Sequence, residues 1–162
     1  YFSIREELKS NHADLIAVSK TKPIEVIQAL YNLGQRTFGE NYVQELIEKQ
    51  PNLPIDIQWH FIGHLQSNKV KFIAPFIHTI HAVDSIKLLL EIEKQAAKFQ
   101  RKINCLLQIH VADEDSKYGI SENELENIVA EICRQNFEFA TIAGVMGMAT
   151  NTEDEQQINF EF

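Results

Sequence analysis

The run Leu15-Ile16-Ala17-Val18-Ser19-Lys20 closes an apolar, strand-like segment with an ammonium group. Strand alternation puts Ile16, Val18 and Lys20 on one side, so the amine ends an apolar row. An unperturbed lysine, with a pKa of about 10.4, is almost wholly protonated at neutral pH. Burial, or a cationic neighbour such as Lys22, lowers that value and frees an amine able to form a Schiff base with an aldehyde or ketone. The plainer reading, two solvated lysines at a strand end, stays open.

Other strand ends carry fewer possibilities. In Phe38-Gly39-Glu40-Asn41 the glycine permits close backbone approach of a ligand, and Asn41 reads first as a helix cap, second as a ligand contact. His60 and His64 straddle a strand end rather than sharing a helix turn, and neither His-Glu-x-x-His nor a cysteine pair accompanies them, so a zinc site is disfavoured. The polar loop Asp113 to Gly119 reads as a solvated turn or as a lid over the strand ends. Gly144-Val145-Met146-Gly147-Met148 is mostly core sequence whose glycines can admit a flat ligand. Gly34 and Gly39 have P-loop spacing, but Glu40-Asn41 stand where Lys and Ser/Thr are required. No dinucleotide fingerprint or nucleophile elbow occurs.

The elements that must position these groups alternate between short β-rich runs and longer helical patterns. Strands are expected at Leu15–Lys20, Thr37–Gly39, Gln58–Gly63, Ile77–Val83, Ile103–Val111 and Thr141–Met146. Helices are expected after Pro23 and Asn41, over about Ser67–Ile73 and Ile86–Phe99, and after Ser121. Ser121 with Glu124 forms a capping box ahead of Leu125, Ile128, Val129, Ile132 and Cys133. Such alternation implies βαβ units and a parallel sheet, either doubly wound or part of a (β/α)8 barrel. A full barrel typically needs about 200 residues or more, against 162 here. Both architectures put ligands at the carboxyl ends of the strands.

Composition narrows the class. With 44% hydrophobic residues the chain reads as one globular domain over residues 1–162. A net charge of −8 disfavours a nucleic-acid binder, without excluding a local anion pocket. No apolar stretch is long enough to span a bilayer, and the N-terminus lacks the apolar core of a signal peptide. Cys105 and Cys133, far apart within regular patterns, fit buried thiols in a reducing, cytoplasmic setting.

Five motifs in register carry a resemblance. Ala17-Val18-Ser19-Lys20-Thr21-Lys22-Pro23, Phe38-Gly39-Glu40-Asn41-Tyr42-Val43-Gln44-Glu45, Trp59-His60-Phe61-Ile62-Gly63 with Leu65-Gln66-Ser67-Asn68-Lys69, Ser116-Lys117-x-Gly119 and Gly144-Val145-Met146-x-Met148 occur in this order. Together they resemble the pyridoxal phosphate homeostasis proteins, across nearly the whole chain. The resemblance implies an α/β fold like the N-terminal (β/α)8 TIM barrel of alanine racemase, with about six of the eight units present. It implies pyridoxal 5'-phosphate (PLP) held as a Schiff base on Lys20, and Asn41, His60, Gly63 and Met146 as pocket lining. No residue is assigned a catalytic or metal-binding role.

In the family, a Ser/Gly-rich segment and a Val-Arg-x-Gly segment on the last two strands hold the phosphate and approach the pyridine nitrogen. Nothing after Phe162 supplies them, and both ends read as cut, so the sheet is expected to be unclosed and poorly stable alone. The leading expectation is a monomeric, cytoplasmic carrier that keeps free PLP low for vitamin B6 homeostasis and serves apo-PLP enzymes, with no nucleic-acid or membrane partner. The alternative is a PLP-dependent amino-acid racemase, which needs a second base; neither Tyr42 nor Tyr118 can be nominated for it. A Schiff-base aldolase acting on a sugar phosphate is a third possibility.

Overall fold

The computed structural model describes residues 1–112 and 118–162. The Ser116-Lys117 motif and the proposed lid loop lie at or within the segment outside the described residues. Strands β1 (Ala17–Val18), β2 (Thr37–Glu40), β3 (Gln58–Phe61), β4 (Thr79–Val83), β5 (Ile103–Ile109) and β6 (Ala140–Gly147) form a parallel sheet in sequential order. A doubly wound sheet reverses its strand order at a switch point, and this one does not. The order is that of a barrel wall, left open here between β1 and β6.

Helices α2 (Ile24–Asn32), α3 (Val43–Lys49), α4 (Val70–Ile73) and α5 (Ile86–Lys98) make the crossovers between the first five strands. Pro23 stands at the N-cap of α2, and Gly34 at φ +100° takes the left-handed conformation that lets the chain turn back into β2. Ser85 Oγ accepts from Leu88 N–H at the start of α5, whose buried face is Leu88, Leu89, Ile92 and Ala96. These residues share one core with Phe38, Trp59, Phe61, Ile80, Ile103 and Cys105 of the sheet. The opposite face holds Ile16, Gly39 and Ile62: a Cβ on Gly39 would lie 3.2 Å from Ile16 and 3.0 Å from Ile62.

The capping box of Ser121 and Glu124 forms as expected and starts α6 (Glu122–Arg134). Three expectations need correction. Asn41 is not a helix cap; α3 begins at Val43 with Tyr42 at the N-cap position, because the chain stays extended one residue further. Cys133 is exposed while Cys105 is buried, since the apolar stripe of α6 is wider than its contact with the core. The first strand pairs over two residues only, Ala17–Val18, and among the described residues β2 is its one strand partner.

Two helices were not expected from the sequence: α1 (Phe2–Ser10) and α7 (Glu155–Glu161), and neither buries a residue. The start of β6 is fixed by one side chain from α5. Glu93 accepts hydrogen bonds from the backbone N–H groups of Glu138 (3.0 Å), Phe139 (3.0 Å) and Ala140 (2.6 Å). Glu93→Ala is expected to lower stability by about 2 kcal/mol or more, given the usual contribution of hydrogen bonds to charged groups. Urea unfolding, with faster amide exchange at Phe139 and Ala140, checks it; unchanged exchange there would contradict the anchoring role.

Candidate functional site

Lys20 follows the end of β1 and is exposed. Among the described residues no hydrogen bond or ion pair engages its amine. It occupies a tight turn in which Lys22 N–H donates to the Ser19 carbonyl at 3.0 Å. Thr21, next in the chain, adopts φ +60°, an uncommon conformation for a β-branched residue. Lys22 is also exposed.

Charged side chains lie beneath this turn. Lys49 Nζ, on the last residue of α3, donates to the Ser19 carbonyl (2.7 Å), to Glu40 Oε1 (2.8 Å) and to Glu45 Oε1. Ser19 Oγ donates to Glu40 Oε1 at 2.6 Å, and Thr21 N–H donates to Glu45 Oε1 at 2.6 Å. Glu40 is fully buried and the Lys49 side chain is 8% exposed. Sequence reasoning assigned none of the three a role: Glu40 and Glu45 stood unremarked inside the Phe38–Glu45 motif, and Lys49 carried no signal.

Asn41 extends from the carboxyl end of β2. Its side-chain Oδ1 is buried and has no hydrogen-bond partner among the described residues. Gly63 explains how it is held: a Cβ there would stand 2.5 Å from the Asn41 carbonyl oxygen and 2.8 Å from its Cα. Gly63 therefore acts by letting two strand ends approach. Met146, half-buried on β6, pairs in register with Gln108 of β5.

His60 lies lower in the sheet, in register with Gly39. Its Nδ1 is 2.7 Å from His81 Nε2, and its ring stacks on His78 at 5.4 Å. Burial, then His81, then His78 push its pKa down to about 4. Burial lowers His81 and His78 as well. At neutral pH these are uncharged rings in which one nitrogen of the His60–His81 pair donates and the other accepts. No cluster suited to a metal ion occurs among the described residues. The structure thus brings Lys20, Asn41 and Gly63 to one rim and sets His60 apart from them.

His60 and His78 also line a cavity of about 550 Å³ at the opposite, N-terminal end of the strands, with Arg5, Lys9, Thr37 and Gln58. Lys20 and Asn41 do not line it, so the strand-end chemistry and this void are separate features. On the Lys20 rim, His64 Nδ1 lies 3.1 Å from Asp84 Oδ2, and its ring stacks on Tyr118 at 4.0 Å.

The alanine racemase N-terminal domain profile matches residues 2–161. A pyridoxal phosphate homeostasis protein of Pasteurella multocida is 42% identical over 145 residues, covering 86% of this chain and 60% of its own length. PipY of Synechococcus elongatus, solved without PLP, superposes with a TM-score of 0.87 at 33% identity, covering 96% of this chain and 72% of that one. PipY solved with PLP bound gives 0.79 at 32% identity, covering 96% and 74%. The chain belongs to the alanine racemase N-terminal domain family, in the branch of the pyridoxal phosphate homeostasis proteins. It spans less than two thirds of the length of the curated relative. No helix of the described residues is long and apolar enough to cross a membrane.

The histidine set makes a pH prediction. A base whose folded pKa is depressed binds fewer protons than the unfolded chain between the two values, so stability falls as pH drops from about 6.5 to about 4. Melting temperature should decline over that window, and His60→Gln should flatten the decline. An equal slope in the variant would remove His60 from the account.

Proposed function

We propose that this chain is part of a PLP-binding protein that holds the cofactor through Lys20 and keeps its free aldehyde scarce. One observation carries the reading: an exposed lysine amine, unpaired among the described residues, lies in the turn just after the first strand of a sheet that superposes on PipY solved with PLP bound. The chemistry PLP supplies when bound is an electrophilic aldehyde that condenses with a primary amine.

The residues present fit such a ligand. Lys20 offers the amine. The orphaned Oδ1 of Asn41 is a buried acceptor awaiting a donor, since buried polar atoms are ordinarily satisfied. Gly39 lets the Ile16 and Ile62 side chains close over its strand, since a Cβ there would stand 3.2 and 3.0 Å from them, and so keeps this face apolar beside the rim. Gly63 keeps Asn41 in place, Met146 lines the far strand, and neutral His60 lies lower in the same sheet face. The proposal extends to a monomer working in the cytoplasm, with apo-PLP enzymes as recipients.

The test is borohydride reduction of the protein with PLP, followed by peptide mass mapping. A pyridoxyl adduct on the Lys20 peptide, abolished in Lys20→Ala, is expected together with visible absorbance before reduction. Adducts confined to other lysines would overturn the assignment. Conversion of an L-amino acid to its D form would replace the carrier with a racemase, and reaction with a sugar phosphate without visible colour would favour the aldolase.

A further inference from the structure

The charges beneath the Lys20 turn are not explained by stability. Taking the Glu40 carboxylate and the Lys49 ammonium out of water is costly, and replacing such a buried pair with apolar groups of similar size is often neutral or stabilising. Thr21 adds strain, because φ +60° is a conformation glycine adopts freely and threonine resists. Both costs fall on the residues flanking Lys20. Ser19, before it, is tied to Lys49 directly and to Glu40 through its hydroxyl. Thr21, after it, is tied to the same ammonium through Glu45. The backbone of the turn is thus held on both flanks of Lys20, while the lysine side chain is exposed.

We propose that Glu40, Glu45 and Lys49 are positioning residues for Lys20, holding the Ser19–Lys22 turn so that the amine is presented at the strand-end rim. This rests on the reading of Lys20 as the attachment residue. Glu45 sets the strained Thr21 peptide, while Lys49 and Glu40 set the Ser19 peptide. The arrangement reduces the conformations the turn must give up when the amine reacts, the usual benefit of preorganisation.

Three variants test it in the protein: Glu45→Gln, Glu45→Gln with Thr21→Gly, and Glu40→Gln with Lys49→Met, which removes a buried pair together and keeps side-chain volume. The readouts are the rate of the Lys20-specific borohydride adduct with PLP, amide exchange at Thr21 without PLP, and melting temperature. Glu45→Gln is expected to slow adduct formation roughly tenfold, the scale of one hydrogen bond to a charged group, and to speed Thr21 exchange to match. Thr21→Gly should recover most of the lost rate, since glycine takes the positive φ without support. Glu40→Gln/Lys49→Met should melt close to the parent yet react more slowly, so the test survives even if Glu45→Gln fails to fold. Parent-like adduct rates in the folded variants would overturn the positioning role and leave Lys20 as the attachment residue. Loss of rate in step with melting temperature, unrecovered by Thr21→Gly, would also overturn it. Absence of any Lys20 adduct in the unsubstituted protein would overturn both readings.

Discussion

Because all six strands are parallel and follow one another in sequence, every one of them finishes at the same rim. Parallel pairing requires a crossover after each strand, and α2 to α5 supply the first of these from one face of the sheet. The core of Phe38, Trp59, Phe61 and Ile80 against Leu88, Leu89 and Ile92 thus determines which face is closed by helices. The other face carries Ile16, Gly39, His60 and Ile62, and the turns after the strands become neighbours. Lys20, Asn41 and Gly63 come from three different turns and meet only through this constraint.

Within that frame the rim is built by unequal means. Gly63 works by having no side chain, since a single carbon there would collide with the Asn41 backbone. Asn41 carries an acceptor without a partner, while Glu40, the residue before it, faces the other way into a buried ion set. Successive residues at the end of β2 and just past it therefore divide the work: Gly39 and Asn41 lie on one side, and Glu40 braces the neighbouring strand end on the other. This is the period-two logic of a strand applied to chemistry instead of packing.

The same logic decides what the sequence could reveal. Strand order was undetermined by periodicity, because βαβ alternation is common to open sheets and barrels; the family motifs resolved it, and the sequential order agrees. The place of Lys20 just past the first strand was legible, but spacing alone left a solvated strand-end charge open, and the family motif is what singled it out. The capping box at Ser121 was legible because it is local. Asn41 was misread as a cap because a residue type suited to capping stood just ahead of a helical pattern, and nothing local shows that the helix starts two residues later. Glu40, Glu45 and Lys49 were invisible for the opposite reason. Glu45 and Lys49, at i and i+4, look like an ordinary surface helix pair, and only the tertiary fold shows Ser19 and Glu40 meeting them in the interior.

The proposed ligand is a phosphorylated aldehyde and the chain is acidic, yet the charge arithmetic does not oppose the pairing. The formal −8 is spread over the surface, and at physiological ionic strength exposed charges farther than about 8 Å are largely screened. What a ligand meets at the rim is local. Lys20 and Lys22 are exposed there, whereas the nearby carboxylates of Glu40 and Glu45 are both engaged by Lys49. Below them the histidines are held neutral by burial, so they add hydrogen-bonding capacity without charge. Pairing the acidic groups with Lys49 keeps the rim from being neutralised by its own supports, and this allows a net-negative protein to offer a free amine to an anion.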